Sequence, residues 1–537
     1  MMWKKGWREA IWSQLDQPFD LVVIGGGITG AGVFLESVAA GLKTLLVEAH
    51  DFASGTSSRS SKLVHGGFRY LKNGQLKITY DSVRERERLL QENRGLINQL
   101  GFVIASYKGN RIPMWALGFG LTFYDLLALK WGHKYYDQEG LLELCPNLNS
   151  HELRGGYRYF DALTDDARLV LRNILEGVRL GGFALNYARV EGFIVTQNGI
   201  VTGVQIKDMA SVRDSDQAEV QSRAVVNATG AWSEHLSGNS KTRGQKIVKN
   251  LPDIRRLRGS HLIFPAEKLP VNRAISIWHP KDKRPVFTFP WEGVTVVGTT
   301  DVDFNKQMVT DPCISNKEVE YLVDAVRFTF PSLDLNAEDI QSTFSGIRSV
   351  IDTGKKEPSK ESREHFLRFE NGLLTIGGGK LTTFRLMAKQ AINLLIKKIP
   401  DLKDRNSPPP KSISINPELQ SEIPIDQKSK LRLLGRYGID APEIIEISDP
   451  SELSFIGSTP NLWVEIRWAA RAEGVVHLED LLLRRVRLGN VLPSGGMEVI
   501  ERIKQIVIKE LDWGEELWEK ELRNYKLLLE ESYSIES

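Results

Sequence analysis

Several kinds of protein are excluded by what the 537-residue chain lacks. Its two cysteines, Cys145 and Cys313, stand too far apart for a disulfide framework or a Cys-x-x-Cys metal site, so a reducing compartment is expected. Nine scattered histidines show no helical metal-pair spacing, and no metal is expected. Seventy basic residues against 68 acidic ones give a formal charge of +2, which offers no footprint for nucleic acid. No run of about 18 apolar residues is present to cross a bilayer. Met1 to Gln17 has no apolar stretch of the signal-peptide kind.

What is present is ordinary globular composition, 41% apolar and 26% charged, over a length that suits two or three domains. Two segments are rich in aromatic residues. Trp3, Trp7, Ile11 and Leu15 recur every four residues beside Lys4, Lys5 and Arg8. They read as a short interfacial helix or as a helix packed on its own domain. Ile112 to Leu129 holds Trp115, Phe119, Phe123 and Tyr124, is interrupted by Asp125, and has Trp131 just beyond. It reads first as a buried helix and second as a membrane-dipping surface.

The strongest motif is Leu21-Val22-Val23-Ile24-Gly25-Gly26-Gly27-Ile28-Thr29-Gly30, followed by Thr44-Leu45-Leu46-Val47-Glu48. This is a strand, a glycine turn, a helix, a second strand and a terminal carboxylate. Gly25 permits the tight turn, Gly27 lets the backbone approach a pyrophosphate, and Gly30 lets helix and strand lie close. The helix start offers free N–H groups to phosphate oxygens. Glu48 stands where an acid accepts hydrogen bonds from a ribose, and it would repel a 2′-phosphate. An ordinary βαβ unit with a glycine-rich turn is the alternative.

Further along, Ser54 to Tyr70 is too polar for a core strand, and Lys77 to Leu100 reads as a charged helix. Asp165 and Asp166 cap a helix over Ala167 to Leu180. Gly192 to Lys207 reads as a hairpin, and Ala224 to Gly230 as a strand returning to the first sheet. His261 to Gly298 suggests an inserted, mostly antiparallel sheet. Leu373 to Gly379 repeats the strand-to-glycine pattern and leads into a helix from Thr382. Ser407-Pro408-Pro409-Pro410 marks a linker. Trp463–Ala472, Leu478–Arg487 and Glu498–Glu531 show helical periodicity.

Three glycine-rich strand ends, at 25–30, 228–230 and 377–379, exceed the need of one dinucleotide turn but suit an extended flavin cofactor. N–H groups around Gly379, Lys380 and Leu381 would face the negative charge of a reduced flavin. Arg69, Arg284, Arg348 and Lys380 sit near glycines or strand ends, as an anion pocket requires. Surface ion pairs are the alternative for each. His261 could take a hydroxyl proton as hydride leaves the same carbon, or be a structural histidine.

The chain resembles the FAD-dependent glycerol-3-phosphate dehydrogenases. The resemblance rests on Val23 to Gly32, Thr56 to Leu71 (with Ser60-Ser61-Lys62-Leu63-Val64-His65-Gly66-Gly67-Phe68-Arg69-Tyr70-Leu71), Asp165 to Leu169 and Val226 to Trp232. Gly259-Ser260-His261, Gly298-Thr299-Thr300-Asp301, Ser345-Gly346-Ile347-Arg348 and Gly378-Gly379-Lys380-Leu381-Thr382-Thr383 complete it. It runs from residue 19 to about 390 and more loosely through Val464 to Arg467 and Leu482 to Leu488.

The resemblance implies a Rossmann-like FAD domain of the glutathione-reductase type, an antiparallel-sheet substrate domain and a helical C-terminal domain. The expected divisions are an N-terminal amphipathic segment (1–18), an oxidoreductase region (19–400), a linker (401–411) and a helical domain (412–537). It implies oxidation of glycerol 3-phosphate at C2, with FAD as hydride acceptor and quinone next in line. Substrate contacts fall to Arg69, Tyr70, Arg284, Arg348 and Lys380, and catalysis to His261, Lys380 and Arg348. Beyond Gly25, Gly27, Gly30 and Glu48, cofactor contacts fall to Ser57, Ser58, Ser61, Lys62, Leu63, Gly230, Gly379, Leu381 and Thr382. A cytoplasmic enzyme peripheral to the inner membrane is implied, with a homodimer as the expected assembly. Ser349-Val350 departs from the family's usual Pro-Leu after Arg348. The rival readings are a glycerol-3-phosphate oxidase that uses O₂, an amine or amino-acid oxidase, and a flavoprotein without catalysis.

Overall fold

A computed structural model describes residues 3–68, 75–110, 112–210, 217–238, 248, 251–304, 308–357, 361, 363–399, 402, 419 and 425–535. The strand Phe19–Ile24 is buried at every position, as a central parallel strand must be. It pairs in parallel with Thr44–Val47 on one side and Gln217–Asn227 on the other. Leu373–Gly378 and Phe183–Leu185 extend the parallel sheet, and His365–Glu370 closes one edge antiparallel.

The side-chain period of two divides the packing. Leu21 and Val23 face a core with Phe34, Leu171, Ile174 and Met387, from the helices Ile28–Ala39, Asp166–Arg179 and Phe384–Lys398. Val22 and Ile24 face a second core with Phe193, Val204 and Ile206, from the expected hairpin, observed as Ala188–Val195 and Val201–Asp208.

Ile11 and Leu15 are buried in that second core, and Trp3, 2% exposed, stacks on Phe52 at 5.0 Å. Arg8 donates to the carbonyls of Asn186 (2.6 Å) and Tyr187 (3.0 Å). The N-terminal segment therefore packs on its own body, the second of its two readings, and not as an interfacial helix.

Among the described residues the second sheet has ten strands and is antiparallel except where Ala274–Trp278 meets Ile97–Tyr107. Ile254–Pro265 pairs with Val294–Gly298 and with Ser342–Ile351, so His261 lies opposite Phe344 and Leu257 opposite Arg348. The charged helix ends earlier than expected. It spans Leu76–Glu92, and a strand begins at Ile97. Gly95 makes the break at φ +86°, where a Cβ would stand 2.0 Å from the Leu431 carbonyl oxygen.

The expected linker lies outside the described residues except for Leu402. Beyond it come the helices Gln427–Tyr437, Trp463–Ala472, Ile500–Leu511 and Glu515–Ser532. The helical periodicity of Glu498–Glu531 is thus carried by two helices, parted at Asp512 in the left-handed region. The last three of these helices share a core with the large sheet, where Trp463, Ile503 and Trp518 join Trp291 and Phe344. No helix among the described residues is long and apolar enough to cross a membrane.

Candidate active site

A cavity of about 990 Å³ opens between the parallel strand ends and the large sheet. Gly25, Gly27 and Glu48 line one end. Gly25 turns at φ +105°, and a Cβ on it would stand 2.8 Å from the Ala228 carbonyl oxygen. Gly30 lies off the wall, but a Cβ there would fall 1.8 Å from the Gly25 oxygen. Only glycine allows this helix so close to its turn. Ser57 Oγ accepts from Ile28 N at the helix start (3.0 Å). The Glu48 carboxylate accepts from Gly26 N (2.7 Å) and His50 N (2.9 Å), which fixes it at the strand end. A cradle that any added Cβ would fill, a helix start and a fixed carboxylate on one wall fit a dinucleotide.

Ser57, Ser61 and Leu63 also line the cavity, as do Gly230, Gly379, Leu381 and Thr382. Gly378 (φ +71°) and Gly379 (φ +86°) make the turn into Leu381–Thr383 and the helix after it. Ser58 and Lys62 do not line the cavity but stand behind it. Lys62 Nζ donates to the Ser58 carbonyl (2.7 Å) and to both Asp166 oxygens (3.0 Å). Burial first, then the charge of Arg487, lowers the Lys62 pKa to about 7 against the pull of Asp166. This lysine supports the wall rather than facing a ligand.

At the other end are His261, Arg284, Arg348 and Lys380. The His261 ring is 2% exposed, lies nearly parallel to Phe344 at 4.5 Å, and sets Nε2 2.8 Å from Ser61 Oγ. Burial, then the charges of Lys62 and Arg348, holds its pKa well below the usual histidine value. The ring is therefore neutral at physiological pH and can accept a proton. Arg348 Nη2 donates to the Thr300 carbonyl (2.6 Å), and Gly259 gives it room, since a Cβ there would lie 2.3 Å from that nitrogen.

Arg69 and Tyr70 lie outside the described residues. Two participants escaped the sequence reading, and a third has a different partner from the one expected. Arg363 joins the cavity wall and Asp301 lies among the arginines, while Ser61, expected at the cofactor, bonds the histidine. Asp301 stood in a quoted motif without a role, and Arg363 had no neighbouring glycine to flag it.

One further wall is apolar. Ile112, Ala116, Leu117 and Gly120 line it, and the last three belong to the helix Met114–Ala128. That helix buries Leu117, Leu121 and Tyr124 but leaves Trp115 and Phe119 74% and 73% exposed. It is neither fully buried nor fully exposed. Leu126, Leu129 and Trp131 continue the exposed apolar surface.

Residues 20–385 match the family model described as FAD dependent oxidoreductase, and residues 410–517 match the C-terminal domain of alpha-glycerophosphate oxidase. The chain is 32% identical over 505 residues to the aerobic glycerol-3-phosphate dehydrogenases of Staphylococcus haemolyticus and Staphylococcus aureus, covering 89% of this chain and 88% of each relative. Its structure is similar to that of the glycerol-3-phosphate dehydrogenase from Bacillus halodurans complexed with FAD. There the TM-score is 0.76 at 26% identity, with 98% of each chain covered. The L-alpha-glycerophosphate oxidase of Mycoplasma pneumoniae, with FAD bound, shares the fold at TM-score 0.54 and 18% identity, over 71% of this chain and 95% of that one.

Proposed function

The chain belongs to the FAD-dependent glycerol-3-phosphate dehydrogenase family, and from that premise we propose that it oxidises sn-glycerol 3-phosphate at C2 to dihydroxyacetone phosphate and passes the electrons to a membrane quinone. FAD is the cofactor, and when bound it supplies the two-electron acceptor for the C2 hydride. Gly25, Gly27 and the start of the helix Ile28–Ala39 would hold its pyrophosphate, and Glu48 a ribose.

One observation carries the substrate reading. Three guanidiniums, Arg284, Arg348 and Arg363, converge on the same wall as a neutral, buried histidine. Arginine forks suit phosphate oxygens, and three exceed the need of a single carboxylate, which disfavours an amino-acid substrate. With the phosphate held there, His261 takes the C2 hydroxyl proton and Ser61 holds its ring in place. Lys380, on the same wall, is the alternative base.

The acceptor reading rests on the apolar wall. Ala116, Leu117 and Gly120 connect the cavity to a helix whose other side is exposed and apolar. Such a surface suits the membrane interface, where Trp is favoured, and an apolar quinone could reach the cavity beside it. A peripheral enzyme on the cytoplasmic side of the inner membrane, assembled as a homodimer, completes the proposal.

Dye reduction by the purified holoenzyme with glycerol 3-phosphate, run beside peroxide release in air, tests it. Dye reduction without matching peroxide supports the dehydrogenase. Peroxide at the rate of turnover replaces it with an oxidase, and no reduction overturns both.

A further inference from the structure

We propose that Asp301 is a positioning residue, the built-in counter-ion that keeps Arg284, Arg348 and Arg363 converged and sets the pocket's charge for a doubly charged ligand. The proposal deepens the glycerol 3-phosphate reading and rests on it for the ligand's identity. Asp301 follows the strand Val294–Gly298 and is buried at the cavity wall. Its Oδ1 lies 3.2 Å from Arg348, and its Oδ2 lies 3.5 Å from Arg284 and 3.9 Å from Arg363. The three arginines come from separate segments, so nothing local in the chain holds them together. Like charges this close separate unless a carboxylate stands between them.

The distances distinguish this cluster from a structural ion pair. The buried Asp51 grips Arg485 at 2.5 and 2.8 Å, within the range of charge-assisted hydrogen bonds. All three contacts to Asp301 are longer. One carboxylate thus stands among three guanidiniums, each farther from it than a charge-assisted hydrogen bond. Three positive groups against one negative group leave a net charge of +2 in the cluster. A phosphomonoester carries about −1.5 to −2 near pH 7. Around this cluster, His261 is neutral and Lys380 adds its amine on the same wall.

The test uses the holoenzyme with Asp301→Asn and Asp301→Glu. Sulfate, a dianion, and acetate, a monoanion, are titrated against the flavin absorbance, and KM and kcat are measured with glycerol 3-phosphate. For Asp301→Asn, the sulfate Kd and the substrate KM are expected to rise about tenfold while kcat stays within about threefold. Acetate binding should not weaken, so the preference for a dianion shrinks. Asp301→Glu keeps the charge and should lose only about threefold. It carries the test if the Asn variant fails to retain FAD. Unchanged or tighter sulfate binding in the variants overturns the proposal. A wild type that binds sulfate but is not reduced by glycerol 3-phosphate would instead remove the substrate reading and leave the role of Asp301 intact.

Discussion

Replacing His261 with Asn separates proton transfer from everything else the histidine does. The ring is buried, stacked on Phe344 and bonded to Ser61. Asn fills most of that space and can keep a hydrogen bond to Ser61, but it cannot take a proton. Loss of the stack costs about 0.5–1.5 kcal/mol of stability, too little to unfold a chain of this size or release its FAD. Loss of a general base costs about 10²–10⁴-fold in rate. His261 sits well below the usual histidine pKa, through burial and then Lys62 and Arg348, so it is a weaker base than an ordinary imidazole. That places the expected loss in the lower half, about 10²–10³-fold, or roughly 2.7–4 kcal/mol of barrier. The assay is anaerobic stopped-flow bleaching of oxidised flavin at saturating glycerol 3-phosphate, with FAD content read from the same spectrum. The sign of the pH dependence follows from the same shift. A base with a depressed pKa keeps its lone pair until pH falls to that lower value. The wild-type rate should therefore hold between about pH 8 and 6.5. Bleaching of the Asn variant within a few-fold of wild type clears His261 and moves the role to Lys380.

Glu48→Ala removes charge-assisted hydrogen bonds worth about 1.5–3 kcal/mol each, so FAD retention should fall at least about tenfold; stoichiometric FAD after gel filtration would show that Glu48 does not hold the ribose. Arg348→Ala should raise KM at least about tenfold, and Arg348→Lys should recover it only in part because an ammonium cannot fork; an unchanged KM in the alanine variant makes Arg348 structural. Trp115→Ser with Leu129→Ser removes two exposed apolar groups, each worth about 1.5–3 kcal/mol if buried in lipid. Flotation with anionic vesicles should drop while dye reduction persists, and unchanged flotation moves the membrane contact elsewhere. Burial alone would raise the Asp165 pKa, but Arg436, Arg487 and Arg168 bring it from 3.8 to about 2. Its contribution of about 2 kcal/mol is therefore present above pH 4 and lost as pH falls from about 4 toward 2. Tryptophan-monitored urea unfolding should weaken across that window, and less so in Asp165→Asn.

The cofactor end of the cavity was legible because its requirements are local. A tight turn, a close helix and a strand-end acid occupy fixed positions within 30 residues, and Gly25, Gly30 and Glu48 each meet one. The arginine cluster was only half legible. Arg284 and Arg348 stood at strand ends or beside glycines, but their convergence depends on the pairing of Ile254–Pro265 with Ser342–Ile351 and Val294–Gly298. Periodicity says nothing of that register, so Asp301 stood in a motif without a role and Arg363 carried no signal. Lys62 shows the opposite error. Its motif pointed to the cofactor, yet the side chain turns away toward Asp166, because a buried ammonium needs a carboxylate more than a ligand does. The aromatic residues near the N-terminus and those at 115–131 have similar composition, and only the cores on which they pack distinguish them. Trp3 has Phe52 to stack on, whereas Trp115 has no such cover.

The short segment Asp480–Arg487 explains why the C-terminal helices are inseparable from the site. Arg484 and Arg485 grip Asp51, three residues after Glu48, at 2.5 to 2.8 Å. Arg487 donates to the Ser58 carbonyl (2.8 Å), the same oxygen that accepts from Lys62. The Lys62 amine lies 4.5 Å from the centre of the Phe344 ring, and Phe344 stacks on His261. One buried segment therefore braces the cofactor end through Asp51 and the histidine end through Lys62. Removing one partner of such a buried pair costs about 3–5 kcal/mol, because the other charge is left without compensation. Both ends of the cavity thus share one set of buried supports, supplied by Arg484, Arg485 and Arg487.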